Sequence, residues 1–216
     1  MNGSVRLAQR DLRALWRETA GMDAISRREA LEDAWPLLML RYGDLTATVA
    51  ADLFEEETRL PAVLAAPATA DALNERLRWG LGPLFGGDGP LAARDRLLGL
   101  ADELVKQPGR DTVIDSAARN KIRFARVPTG ARTCEFCLVL AGRGAVYRTP
   151  ETAGALRTFH RGCDCRIEAI VTDADMTRLR VEAGYNPEAL AAEYQRNRRS
   201  TLKGTLAAMR KARKGN

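Results

Sequence analysis

This chain has one histidine and only four cysteines in 216 residues. Any catalytic pair that needs histidine as its base must therefore use His160, and a disulfide framework could hold at most two bridges. Aromatic residues are sparse at 6 %, so a core must come mainly from aliphatic side chains. No apolar run approaches the roughly 20 residues that cross a bilayer, which excludes a membrane-spanning helix, and no membrane partner is expected. The opening stretch MNGSVRLAQRDLRALW has no apolar h-region of signal-peptide type, which points to a reducing compartment. GGDGP at residues 86–90 lacks the GxxxxGK pattern and strand context of a phosphate loop, and reads as a connector. There is no HExxH, and the order of HxE before PCxxC found in zinc deaminases is reversed.

What cysteine and histidine there are collects in one window. Cys134 and Cys137 form CxxC, and His160, Cys163 and Cys165 form HxxCxC. Two thiolates at i, i+3 around a tight turn can reach one tetrahedral ion, and a second pair roughly 20–30 residues later closes the cage. Structural Zn2+ is the expected cofactor, held by four of these five residues. Cys163 and Cys165 on an extended strand would share a face and favour four sulfurs; HxxC spacing equally allows His160 with three. Four thiolates leave the cage at a net charge of −2, which Arg132, Arg161 and Arg166 are placed in sequence to offset. The competing reading is two disulfides, which needs an oxidising compartment. A catalytic zinc is disfavoured, because such sites keep an open position and here ligands are in surplus.

The net charge of +6 is unevenly placed. Gln195 to Asn216 holds Arg196, Arg198, Arg199, Lys203, Arg210, Lys211, Arg213 and Lys214 with no acid, so the preceding 194 residues sum to −2. A narrow apolar stripe of Leu190, Tyr194, Leu202, Leu206 and Met209 would let this segment dock on protein while its cations meet phosphates. Non-specific, salt-sensitive binding to double-stranded DNA is the expectation; a solubilising tail is the bland alternative.

The predicted class is α+β, mainly α: a helical domain at 1–120, a zinc-binding β module at 121–172, and C-terminal helices with a basic tail at 173–216. Ser4 is placed to cap a first helix with Leu12, Leu15 and Trp16 on one face. Ser26 and Glu29 form a capping-box pattern before a long helix carrying Leu31, Trp35, Leu38, Leu45, Val49 and Leu53, which Pro36 should bend. Glu55 to Glu57 reads as a solvated helix end. Pro61 and Pro67 mark a break; Leu73, Leu77 and Leu81 mark the next helix; Leu91 to Val105 is another, ended near Pro108 and Gly109, with a short helix from Asp111 to Asn120. KIRFARVP at 121–128 alternates like a half-buried strand, with Ala145–Arg148 and Arg166–Val171 as further strands. A module this thin needs a staple, which gives the metal a structural reason. Helices at Asp173–Ala183, ended by Gly184, and from Asn186-Pro187 onward complete the chain.

The segments ARVPTGARTCEFCLVLAGRGAVYRT and FHRGCDCRIEAIV resemble the Mu F-like minor head proteins of tailed phages, in the form found in actinobacteriophages. The match is densest from Ala125 to Cys165, at TGxRTCxxC, RGxVY and HxxCxC; the stretch from Arg6 to Glu57 is similar in texture. After CxC the family has a Val/Pro-rich strand, and this chain departs from it with Arg166 to Val171. The resemblance implies a low-copy virion protein inside the head near the portal vertex, made in the bacterial cytoplasm, with portal or major capsid protein and packaged DNA as partners. Such proteins are also labelled capsid maturation proteases. The residues argue against an enzyme, because the one histidine sits in the metal cluster and no nucleophile retains a base. A processing protease or zinc-dependent nuclease, and a zinc-bearing DNA-binding protein outside phage biology, stand as the alternatives.

Overall fold

The computed structural model describes residues 2–130, 133–148 and 159–214. They form a mainly helical α+β protein with one two-stranded sheet among the described residues. The chain divides into two compact units, Met1–Thr112 with Phe159–Gly162, and Val113–Thr158 with Cys163–Asn216.

The first unit is built from α1 (Asn2–Glu18), α2 (Ala24–Thr58), α3 (Ala70–Gly86) and the larger part of α4 (Gly89–Arg119). In α1, Val5, Ala8, Leu12 and Trp16 recur at three and four residues and are buried, with Leu15 packed beside them. The start of α2 differs from the capping box expected at Ser26: Asp23 is the cap, and its carboxylate accepts from the backbone N–H groups of Ile25 and Ser26 at 2.9 and 3.0 Å. The buried stripe of α2 also differs. It follows Leu31, Trp35, Met39, Tyr42, Thr46, Ala50 and Phe54, while Leu45, Val49 and Leu53 face solvent. Three residues with small or polar side chains, Gly43, Thr46 and Ala50, occupy the inward face, and a hydropathy pattern cannot register them as core.

The reason is a close helix crossing. A Cβ on Gly43 would stand 3.1 Å from Pro108 Cγ, and one on Gly109 would stand 2.9 Å from the Thr46 carbonyl oxygen. The Thr46 hydroxyl donates to the Val105 carbonyl at 2.5 Å, satisfying a polar group inside the contact. Pro108 and Gly109 thus do not end a helix, as expected from sequence; α4 runs through them to Arg119 and absorbs the short helix anticipated at 111–120. Ser4, expected to cap the first helix, lies inside α1, whereas the signals from Glu55 to Leu81 match the structure. Pro61 and Pro67 lie in an irregular link, Thr69 caps α3, and Leu73, Leu77 and Leu81 are buried. Glu55, Glu56 and Glu57 are exposed. Trp35 Nε1 donates to the Leu73 carbonyl at 3.0 Å and Gln9 to that of Leu98 at 3.0 Å, so polar atoms at the edge of the core are paired.

The second unit pairs β1 (Arg123–Val127) with β2 (Arg166–Ile170), antiparallel, from Arg123 opposite Ile170 to Val127 opposite Arg166. The end of α4 leads into β1 through Lys121, in the left-handed region at φ 57°. Every residue of β1 after Arg123 is buried, so the strand is covered on both faces rather than half-exposed. The strand expected at 145–148 reduces to a bridge between Tyr147 and Phe124, whose N–H donates to the Tyr147 carbonyl at 3.0 Å. Around the sheet lie α5 (Glu135–Ala141), α6 (Asp173–Ala183), α7 (Pro187–Asn197) and α8 (Leu202–Lys214). Gly184 ends α6 at φ 60°, and Asn186 caps α7 with Pro187 in its first turn, both as the sequence signals require. Ala125, Val127, Ala141, Ile170, Leu179 and Tyr185 form the core, and Tyr185 donates its hydroxyl to the Ala141 carbonyl at 2.7 Å.

Two outcomes test this packing. Gly80→Ala would put a methyl 2.5 Å from Leu97 Cδ2, whereas a Cβ on Gly86 meets nothing within 4 Å. Denaturant unfolding is expected to show a loss of about 1–3 kcal/mol for Gly80→Ala and no loss for Gly86→Ala. The second concerns α1 and α2, where Tyr42 donates to Asp11 at 2.5 Å and, with Arg10, holds that carboxylate below its ordinary pKa. A depressed carboxylate contributes stability above the unfolded-state pKa and loses it as pH falls through the folded-state value. Tyr42→Phe should cost about 1 kcal/mol at neutral pH, and the cost should shrink as the pH of the thermal melt is lowered below about 4.

Candidate metal centre

The four cysteines are held by two pieces of the second unit. Cys134 caps α5, and its sulfur accepts the Cys137 N–H at 3.4 Å. CxxC therefore opens a helix, where a simple tight turn was expected, and the first turn of that helix carries Cys137 inward. Cys163 and Cys165 lie in the irregular residues just before β2, and both are buried. None of the four is in a disulfide. The sulfurs of Cys137, Cys163 and Cys165 lie within 4.8 Å of one another. Cys137 and Cys163 are 3.7 Å apart, and Cys134 and Cys137 3.2 Å. Two thiolates on one tetrahedral ion at a bond length of about 2.3 Å stand roughly 3.8 Å apart. Both separations are far longer than the ~2.05 Å of a disulfide, and that of Cys137 and Cys163 fits a shared ion. Among the described residues, the four cysteines and His160 are the groups whose donor atoms could hold a metal ion.

His160 is exposed and belongs to the Phe159–Gly162 stretch of the first unit. Its Nδ1 lies 2.8 Å from the Arg161 carbonyl oxygen, an obligate acceptor, so Nδ1 carries the proton and Nε2 keeps the lone pair that a metal would use.

A second set of contacts ties the loop before Cys134 to the loop between Cys163 and Cys165. The Asp164 carboxylate accepts from the Thr133 hydroxyl at 3.0 Å, and the Asp164 carbonyl accepts from Thr129. Gly130 packs so closely that a Cβ would fall 1.9 Å from an Asp164 carboxylate oxygen. The residues Thr129, Gly130 and Thr133 of the TGxRTC segment thus have a mechanical task, which is to bring the two cysteine pairs together. On the far side of α5, a Cβ on Gly142 would meet the Ala191 backbone nitrogen at 2.9 Å, so this glycine lets α7 approach the metal helix.

The counter-charge comes from a residue the sequence reading passed over. Arg126 is fully buried on β1, and its Nη2 donates to the sulfurs of Cys163 at 3.2 Å and Cys137 at 3.4 Å. Burial pulls its guanidinium pKa down, and the facing sulfurs of Cys137, Cys165 and Cys163 raise it above the ordinary value. Among the thiols, S–H groups of Cys137 and Cys165 stabilise a thiolate on Cys163 and lower it. Cys137 is raised by its bond to Cys163, then by its bond to Cys165 and by burial. The bond between Cys165 and Cys137 acts to lower Cys165, and the bond to Cys163 with burial pushes it up to about 12. Arg126 thus sets one cation against the buried sulfurs of Cys137 and Cys163. The residues expected to offset the charge act elsewhere: Arg161 stacks on Trp79 at 4.9 Å, Arg166 pairs with Glu168, and Arg132 lies outside the described residues. The available signal was Arg126 itself, a cation two residues from Phe124 on one face of an apolar strand.

The basic residues of the C-terminus occupy two helices with a break at 198–201 rather than one continuous face. Leu190 packs against the core, Tyr194 and Leu206 are half-buried and Met209 is buried, while Leu202 is 49 % exposed, so the expected apolar stripe is interrupted at Leu202. Arg210 pairs with Glu135 at 3.1 Å, and Arg213 donates to the Thr133 carbonyl at 3.0 Å. These two cations bracket Cys134 and fasten α8 to the metal helix. Arg199 donates to the Asn197 and Arg198 carbonyls, while Arg196, Arg198, Lys203, Lys211 and Lys214 are exposed.

Fold and site together define a helical protein carrying a small cysteine-lined module that could hold a metal ion. The VG15 protein family model matches residues 1–197, and the chain belongs to that phage-associated family. The match ends at the last residue of α7, before α8. No curated protein and no solved structure matches the chain.

Cys137 is common to both groupings of metal-type donors. Cys137→Ser is expected to abolish retention of a divalent ion after gel filtration, read by elemental analysis. Gly130→Ala should retain every donor yet weaken retention, because it forces Asp164 away from the loop.

Proposed function

We propose that this VG15 family protein is a minor structural component of a tailed-phage head, sited inside the head near the portal vertex. There it contacts portal or major capsid protein and the packaged double-stranded DNA. A structural Zn2+ held by four of Cys134, Cys137, His160, Cys163 and Cys165 staples its smaller unit. The observation that carries this reading is the docking of a basic helix on a thiol-lined module, through Arg210 and Arg213 on either side of Cys134. The resemblance of residues 125–165 to Mu F-like minor head proteins supports it, as does family membership across both units.

Zinc is favoured over other ions by soft thiolate donors in a tetrahedral spacing. The role assigned to it is structural, since the donors outnumber the four places of the ion. No hydrolytic role is assigned, because a Ser/His or Cys/His pair would have to recruit His160 from the metal cluster. For DNA, Arg210 and Arg213 act as anchors, and Arg196, Arg198, Arg199, Lys203, Lys211 and Lys214 present charge outward. Their contribution is affinity without sequence preference, since phosphate contacts carry no base information.

Quantitative mass spectrometry of purified particles should find the chain at a reproducible copy number well below that of major capsid protein. Its absence from mature particles would sink the virion role and favour a transient assembly factor. Binding to duplex DNA should weaken with salt at a log–log slope no steeper than about −5, as six phosphate contacts would give. Replacing Lys203, Lys211 and Lys214 by Ala should reduce that slope by about 3.

A further inference from the structure

The metal reading leaves an electrostatic problem, and one side chain addresses it. Two combinations of donors are open at the centre. Four thiolates around a divalent ion carry −2, and three thiolates with an imidazole carry −1. Cys137, Cys163 and Cys165 are 1 to 2 % exposed, so in either case the excess negative charge sits out of water. Burying an ion is costly unless a counter-charge and hydrogen bonds accompany it. Arg126, itself fully buried, directs one guanidinium nitrogen at two of these sulfurs at 3.2 and 3.4 Å. Its position is set by the sheet: β1 pairs it with Ile167 of β2, and Ala125 and Val127 on either side belong to the apolar core.

Resting on the metal reading above, we propose that Arg126 is the counter-ion and positioning residue of the centre. Its N–H groups bond the sulfurs of Cys137 and Cys163 while these ligate the ion, and its charge brings the buried site to −1 or to neutrality. It is not a ligand, because a guanidinium has donors and no lone pair to give. A lysine in its place would keep the charge but not the fixed planar guanidinium that sets Nη2 between the two sulfurs. The arrangement also favours metals that take thiolate, since an ionised or ion-bound sulfur accepts an N–H more strongly than a neutral thiol does.

The test uses the full chain, with Arg126→Met and Arg126→Lys, stripped of metal under reducing conditions. Each is titrated with Co2+, and Zn2+ affinity is then measured against a chromophoric chelator. Removing hydrogen-bonding partners of metal ligands generally lowers affinity by about 10–100-fold, and that loss is expected for Arg126→Met, with partial recovery in Arg126→Lys. The cobalt–sulfur charge-transfer band should move to lower energy in both variants, because sulfur lone pairs lose stabilising N–H donors. A residue that only fills space would lower the unfolding temperature and leave the band in place.

Wild-type affinity and band position in Arg126→Met would overturn the assignment while leaving the metal reading intact. If Arg126→Met does not fold, the band of Arg126→Lys decides: a shift supports the role, and an unmoved band overturns it. Failure of the wild-type chain to take up cobalt or zinc would overturn the metal reading, and the role of Arg126 with it.

Discussion

The second unit depends on how its buried sulfurs are held. Its sheet has two strands of five residues, and a two-stranded ribbon is at best marginal in water. The elements that meet there come from separate stretches of chain: the cap of α5, the residues before β2, and β1 with its buried arginine. Apolar contacts of Ala125, Val127, Ala141 and Ile170 join them, and a set of polar contacts gathers around the sulfurs. Arg126 reaches Cys137 and Cys163 from β1, Asp164 gathers Thr129 and Thr133, Gly130 leaves room for the Asp164 side chain, and Gly142 lets the backbone of α7 approach. Removing the sulfur cluster would leave a buried guanidinium facing an apolar core, which is a worse state than an empty site.

The helical unit follows a different rule. Its core is aliphatic with two buried tryptophans, Trp16 and Trp35, and its tightest contact is made by residues with little or no side chain. Gly43, Thr46 and Gly109 bring α2 and α4 so close that the Thr46 hydroxyl bonds a carbonyl of the facing helix. Pro108 within that contact loses one helical hydrogen bond, and the surrounding packing tolerates the loss. Dispersion over a close backbone approach, rather than bulk hydrophobic burial, is what this crossing gains.

The basic terminus divides its labour. Two arginines are committed to the metal helix, and the remaining cations face outward. A basic segment that is merely solubilising has no need of such anchors. Their placement on either side of Cys134 makes the orientation of α8 depend on the geometry of the cysteine cap. The structure thereby links the module that could hold a metal to the surface proposed to meet DNA.

Much of this was legible from residue order alone. The cysteines and His160 announce a metal-type site through spacing, Gly184 and Asn186-Pro187 mark helix ends through backbone preference, and Leu73, Leu77 and Leu81 mark a buried face through periodicity. These signals are local, and local physics determines them: capping bonds, left-handed glycines and one-sided burial act within a few residues. Tertiary structure decided the rest. Only folding shows that Leu45, Val49 and Leu53 face solvent while Gly43 and Thr46 face inward, because close approach rewards small side chains that hydropathy overlooks. Only folding turns Pro108 from a helix end into part of a crossing. Above all, only folding places Arg126 against the sulfurs of residues 11 and 37 positions away. A buried charge is tolerable solely through its partner, and that partner is supplied by a distant part of the chain.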